Sequence, residues 1–296
     1  MVKKLSWRKK VILALGILSV SSAAIFIRLC QQEIEDVTIS FSLFIAASRL
    51  LITTMIISPT YGKLKTINLN NQAIVYSLGA GICLAFHFAC WISSLNFTSV
   101  AASVSLVTTN PLWVALLSWW FLRQHISPTT IVGIIISITG SFVIAFAGGN
   151  TDFGTNPLLG AILALLGAWF VSGYMLLGKV AQEKGLSTTQ YAAIAYVTAA
   201  ICLFPLPLIF GDGYLGYPFP VYIYLILMAI VSQIIGHTSL NWSLRHFSPT
   251  TISLLILLEP VISSLLAWWL FIEVPPLLVL VGAGILLFGV LISLKK

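Results

Sequence analysis

Residues 94–120, SLNFTSVAASVSLVTTNPLWVALLSWW, and residues 243–269, SLRHFSPTTISLLILLEPVISSLLAWW, are two versions of one phrase. Extended to 94–145 against 243–294, the 149-residue shift needs no gap, and thirteen of 52 pairs are identical. Among them are Ser94/Ser243, Leu95/Leu244, Ser99/Ser248, Pro111/Pro260, Trp119/Trp268, Trp120/Trp269, Gly133/Gly282 and Gly140/Gly289. At a shift of 150, Ile12-Leu13-Ala14-Leu15 meets Ile162-Leu163-Ala164-Leu165. A fixed internal register over this length indicates a duplicated unit.

The duplicated unit is apolar. Of 296 residues, 59% are hydrophobic and 8% charged, and mean hydropathy is +1.04. Soluble domains carry about 25% charged residues, and a water-exposed fold with so few could not cover its surface. Ten apolar runs are long enough to cross a bilayer as helices: 11–31, 38–58, 72–94, 99–121, 128–147, 157–180, 188–210, 220–244, 249–271 and 276–294. Turn chemistry separates them, as in Ser58-Pro59-Thr60-Tyr61-Gly62, Ser127-Pro128, Gly148-Gly149-Asn150, Gly211-Asp212-Gly213 and Pro275-Pro276. The start, basic and ending Ser21-Ser22-Ala23-Ala24, has the look of a cleavable signal. The apolar run continues to Ile27, however, and has a counterpart in the second copy, so retention as a span is expected.

Charge tests the count. With ten spans and a cytoplasmic amino terminus, the inner segments hold Lys3, Lys4, Arg8, Lys9, Lys10, Lys63, Lys65, Arg123, Lys179, Lys184, Arg245, Lys295 and Lys296, which is all Lys and Arg except Arg28 and Arg49. The outer loops hold Glu33, Glu35, Asp36, Asp152, Asp212 and Glu273. Nine or eleven spans would scatter this asymmetry, so the positive-inside rule supports ten, with both termini cytoplasmic. The +7 net charge follows from topology and gives no reason to expect nucleic acid. Five spans per unit is odd, so the second copy enters from the opposite side. Asn96-Phe97 accordingly becomes Arg245-His246, and Arg123-Gln124 becomes Ile272-Glu273. The expected architecture is an all-α membrane protein of two inverted five-helix units, 11–147 and 157–294. Inverted repeats are characteristic of secondary transporters, whose sites lie near the midplane between the repeats.

Arg49, the stretch Ser94–Ala101 leading to Asn110-Pro111, Gly236-His237, Asn241-Trp242, Ser248-Pro249-Thr250 and Glu259-Pro260 together resemble the ten-helix branch of the drug/metabolite transporter superfamily, with two EamA-type repeats. Order, spacing and duplication carry the resemblance. It implies a carrier for small organic solutes, often exported amino acids or related metabolites, with a central cavity lined by both repeats. It also implies an arginine at position 49 whatever the solute, which favours a structural role there.

Buried ionisable and polar groups in a bilayer face protein or a wet cavity. Glu259, near the middle of the ninth run, can hold an ammonium or cycle a proton; its alternative is an ion pair with a neighbouring helix. Pro260 and Asn110-Pro111 mark a break common to both copies. Arg49 can meet a carboxylate or phosphate with its planar fork, or pair with Glu259. Gln233, His237, Asn241 and Arg245 recur every four residues and form a polar stripe on one helix face. His87 falls one position from the repeat equivalent of His237, and both histidines can relay protons. Trp113 and Trp169 lie deeper than the belt pairs Trp119/Trp120 and Trp268/Trp269 and can stack on a flat or cationic solute. The candidate binding set is therefore His87, Asn110, Trp113, Trp169, Gln233, His237, Asn241 and Glu259, with Glu259 and His237 for proton coupling and Arg49 as structural charge.

Cys30, Cys83, Cys90 and Cys202 form no CxxC pair, and no metal or cofactor is expected. There is no P-loop and no H-E-x-x-H or G-x-S-x-G constellation, and every Asp lies in a loop. An enzyme is thus disfavoured, and energy must come from gradients. The leading expectation is a multi-pass carrier of the cell membrane exporting amino acids or related amines by alternating access. The alternatives are an exchanger of phosphorylated or nucleotide-linked solutes, disfavoured by scarce intramembrane cations, and a passive pore or receptor. Expected partners are a small-molecule solute and the lipid bilayer. One chain already pairs its two repeats, so a monomer is expected, with a homodimer as the alternative.

Overall fold

The computed structural model describes residues 7–59, 71–122, 127–147, 156–211, 213–272 and 274–293. Lys3, Lys4, Lys63, Lys65, Arg123, Asp152, Asp212, Glu273, Lys295 and Lys296, on which much of the charge asymmetry rests, lie outside them, as do Thr60-Tyr61-Gly62 and Gly148-Gly149-Asn150. Among the described residues the chain is helical with connecting turns and no strand.

The first half comprises α1 (Trp7–Ser21) running into α2 (Ala23–Gln32), α3 (Ile39–Ile57), α4 (Asn71–Ser94), α5 (Val100–Val107), α6 (Asn110–Leu122) and α7 (Pro128–Ala147). The second comprises α8 (Pro157–Glu183), α9 (Thr188–Leu203), α10 (Pro205–Ile209), α11 (Phe219–Leu227), a π-helical segment Met228–His237, α12 (Thr238–Ser243), α13 (Pro249–Leu255), a 3₁₀ turn Ile256–Leu258, α14 (Glu259–Phe271) and α15 (Leu277–Ser293). Among the described residues, eight helical stretches are long and apolar enough to cross a membrane, and Pro128–Ile144 and Leu277–Ser293 are apolar but shorter. Side-chain caps set several starts. Thr38 Oγ1 accepts from the Phe41 amide at 3.0 Å before α3, Ser99 Oγ from Ala102 at 3.2 Å before α5, and a Ser187–Gln190 capping box opens α9.

The fourth and ninth runs, read from sequence as single spans, are each broken at the same place. α5 stops at Val107 and α6 restarts at Asn110; α13 passes through the 3₁₀ turn and α14 restarts at Glu259. Proline at the next position lacks an N–H and crowds the preceding turn, so the α ladder cannot run through it. Thr108 and Thr109 hydroxyls take up the carbonyls of Val104 (2.8 Å) and Leu106 (2.7 Å) at the first break. Asn110 and Glu259 are thereby placed at helix starts inside the bundle.

Packing follows the register between the halves. α4 lies along α8, and its counterpart contact sets α1 against the π segment and α12; α3 meets α9. The most extensive contact besides α4 with α8 joins α7 to its own counterpart, α15. A side-chain carbon added at Gly133 would strike the Gly289 carbonyl, and one at Gly140 would lie 2.7 Å from the Gly282 carbonyl and 2.5 Å from the Leu286 nitrogen. Numbers rise along α7 as they fall along α15, so these two helices run antiparallel with backbones touching. Ser137 Oγ donates across the seam to the Leu286 carbonyl at 3.1 Å. Small residues permit this approach where water offers no driving force.

A second correspondence was not legible in advance. Arg28 donates to the carbonyls of Leu95 (3.0 Å) and Thr98 (3.3 Å). In the other half Lys179 Nζ donates to the Leu244 carbonyl at 2.9 Å, and Leu244 is the repeat equivalent of Leu95. Each copy thus uses a cation near the end of its first helix to satisfy the carbonyls where another helix terminates.

Candidate functional site

A cavity of about 50 Å³ lies between the halves. His87 and Trp91 reach it from α4, Asn110 from the first helix break, and His237, Asn241 and Glu259 from the second half. Its volume holds a few water molecules, so a larger solute requires the walls to part. Val20, Ala23, Val171 and Ile256 supply apolar lining between the polar groups.

The helix breaks explain why Asn110 and Glu259 arrive here. They are equivalent positions, each the first residue of a half-helix, and they are 2% and 8% exposed. A carboxylate at a helix start is favoured by the unsatisfied N–H groups there. Among the described residues, Glu259 makes no ion pair or hydrogen bond. Asn110 Oδ1 likewise has no partner, while its Nδ2 points to Met175 Sδ at 3.6 Å. His87 is fixed by a 2.9 Å contact between Nδ1 and the Gly167 carbonyl, which requires the proton on Nδ1 and leaves Nε2 as acceptor in the neutral ring. The Phe88 ring stands edge-on to His237, with centroids 5.4 Å apart. Trp91 stacks on His87, and its Nε1 is buried without an acceptor.

Behind this wall is a polar knot that sequence reasoning missed. Asn241 Nδ2 donates to the hydroxyls of Tyr174 at 2.5 Å and Tyr196 at 3.2 Å. Tyr196 Oη also meets Thr238 Oγ1 at 3.2 Å, and Tyr191 Oη donates to the Tyr174 carbonyl at 3.2 Å. All three tyrosines are essentially unexposed. Their position inside the apolar runs, on α8 and α9, was the available signal.

Gln233 does not line the cavity. The π segment closes its turns with i→i+5 bonds, as from the Thr238 amide to the Gln233 carbonyl, so the four-residue stripe splits. Gln233 turns to α3 and His237 to the cavity. There Arg49 Nε donates to Gln233 Oε1 at 2.8 Å, and the guanidinium lies 4.1 Å above the Phe88 ring. The partner weighed for Arg49, Glu259, is not bonded to it. Trp113 and Trp169 also lie away from the cavity lining. Trp113 is half-buried in a peripheral apolar groove, donating to Thr109 Oγ1 at 3.1 Å. Trp169 is 41% exposed beside Phe170.

The model of the EamA-like transporter family matches residues 9–146 and again 158–295. The chain belongs to the EamA-like transporter family. An uncharacterized transporter of Archaeoglobus fulgidus is 22% identical over 287 residues, covering 96% of each chain. The uncharacterized transporter YdfC of Bacillus subtilis is 25% identical over 261 residues, covering 85% of this chain and 81% of its own. A probable terminal-alkyne amino-acid exporter of Streptantibioticus cattleyicolor is 26% identical over 191 residues, 64% of this chain and 63% of that one. A crystal structure superposes with TM-score 0.67 at 16% identity, over 97% of this chain and 96% of the other, and so shares the fold. This EamA-like protein is a multi-pass membrane transporter, and its cavity is built from both matched segments.

Proposed function

We propose that this EamA-like protein is a secondary carrier exporting amino acids or related amines across the cell membrane by alternating access. Ten spans form two inverted units with both termini cytoplasmic, and the units move about the cavity between them. The observation that carries this reading is the convergence of equivalent residues from both halves, Asn110 and Glu259, on one cavity. The antiparallel contact of the equivalent helices α7 and α15 supports the inverted arrangement, and the exporter of Streptantibioticus cattleyicolor supports the solute class. Glu259 serves as the proton-cycling group, with His237 opposite as the second titratable side chain.

Counterflow in proteoliposomes is the direct test. Liposomes preloaded with an unlabelled amino acid are expected to accumulate the labelled form transiently, which a pore cannot do. Absence of trans-stimulation across amino acids and amines, with phosphorylated solutes active instead, would overturn the assignment. Glu259→Gln is expected to slow proton-driven accumulation by about tenfold or more and flatten its pH profile while exchange persists. An unchanged rate and profile would remove Glu259 from coupling.

A further inference from the structure

Two spaces meet at the end of the bundle where α1 begins, and neither shares a lining residue with the central cavity. The first, of about 420 Å³, is lined by Lys179 and Glu183 at the end of α8, Ser118 of α6, and Arg245, His246 and Phe247 in the turn between α12 and α13. The second, of about 390 Å³, is an apolar groove. Ala14 and Leu18 of α1 form one side of it and Leu255, Leu258 and Ile262 the other, with Lys10 from the first turn of α1. Phe247 borders both spaces, so the polar one opens beside the apolar one.

The polar space has a surplus of positive charge. Glu183 is the one acid among the described residues lining it, and it is paired with Lys179 at 3.2 Å. Arg245 is exposed, and among the described residues its guanidinium has no hydrogen bond or ion pair. Burial and the neighbouring Lys9, Arg245 and Lys179 push the His246 pKa below the ordinary histidine value, so three cations and one carboxylate share this corner. Such a concave cluster attracts an anion. The groove has the opposite character: Leu18, Leu255 and Leu258 are exposed, on the flank of a bundle that lies in a bilayer.

We propose that the two spaces form one binding site for an anionic glycerophospholipid, whose phosphate sits against Arg245, Lys179 and His246 while one acyl chain lies in the groove beside Phe247. Charge complementarity selects this occupant. A zwitterionic lipid would bring its own ammonium to a corner already rich in cations, and a soluble phosphate would leave the groove empty. Arginine offers phosphate oxygens a planar fork, and lysine a compact point charge. Each basic side chain near an anionic headgroup adds about fivefold in affinity. The acyl chain rests on Leu255 and Leu258, which bracket Ile256 and Leu257 just ahead of Glu259, so the lipid braces the second helix break from outside the cavity.

The test titrates the purified, delipidated full chain with dioleoyl phosphatidylglycerol, dioleoyl phosphatidylcholine or glycerol phosphate, and counts bound molecules by native mass spectrometry. The wild-type protein is expected to hold one phosphatidylglycerol about tenfold or more tightly than phosphatidylcholine, and glycerol phosphate is expected not to displace it. Arg245→Gln is expected to cut that preference about fivefold. Ala14→Trp fills the groove, leaves every cation in place, and is expected to weaken lipid binding about tenfold. Arg8→Gln, at the same end of the bundle but lining neither space, is expected to change nothing. Equal binding of both lipids by the wild-type protein would overturn the proposal, and that comparison needs no variant to fold. A loss in Arg8→Gln as large as in Arg245→Gln would overturn it in favour of diffuse surface charge. Displacement by glycerol phosphate, with no effect of Ala14→Trp, would overturn it in favour of a soluble phosphate.

Discussion

At the scale of single residues, Asn241 does the most with one side chain, since its amide nitrogen serves Tyr174 and Tyr196 together. Asn241→Leu would take its donor from the Tyr174 hydroxyl and leave Tyr196 with Thr238, and a loss of about 1–3 kcal/mol is expected from the usual cost of an unmet hydrogen bond; the fall in melting temperature in detergent measures it. His246, in the turn after α12, offers a pH test. Burial and the neighbouring Lys9, Arg245 and Lys179 push its pKa below the ordinary histidine value. The unfolded chain therefore takes up a proton first, so stability falls as pH drops below about 6.5. His246→Asn is expected to lessen that decline in melting curves between pH 7 and 5. His87, Asn110, His237, Asn241 and Glu259 line one cavity, as expected of polar groups in apolar runs, which turn inward. Trp113 and Trp169 stand outside that lining, because depth along a span is legible and azimuth is not: an aromatic ring is equally at home against lipid or against protein. The same indifference hid Tyr174.

Among the elements, the seam between α7 and α15 makes the sharpest forecast. A leucine at Gly140 would drive side-chain atoms into the Gly282 and Leu286 backbones, which cannot yield as a flexible side chain would. Gly140→Leu is expected to destabilise by about 1–3 kcal/mol or more, whereas Gly284→Leu on the same helix as Gly282, with nothing within 4 Å, should leave the melting temperature nearly unchanged. Those glycines were readable as a seven-residue recurrence. The helix breaks were readable only as proline kinks, because sequence shows where the ladder loses a donor but not whether the chain bends or restarts. The π segment was not readable at all. Its apolar residues suit either winding, and it is from within the wider turn that Gln233 meets Arg49 across two helices.

For the molecule as a whole, membrane character and the repeat register were legible from composition and periodicity, because hydrocarbon admits few alternatives to long apolar helices. Sidedness rests on loop charges and calls for its own measurement. Single cysteines at Lys9 and Arg245 are expected to react with an impermeant maleimide only from the cytoplasmic face, and one at Glu35 only from outside. Any other pattern would dismantle the ten-span arrangement.

The glycine seam also bears on origins. The contact of Gly133 with Gly289 becomes, under the exchange of halves, that of Gly282 with Gly140. It is the same contact written twice, which is the signature of an isologous interface. A solitary ancestral unit would already have carried a surface complementary to itself, so gene fusion needed only to tether a homodimer that could form beforehand. Divergence was then free to make one lobe differ from the other, as it did when asparagine at 110 came to face glutamate at 259.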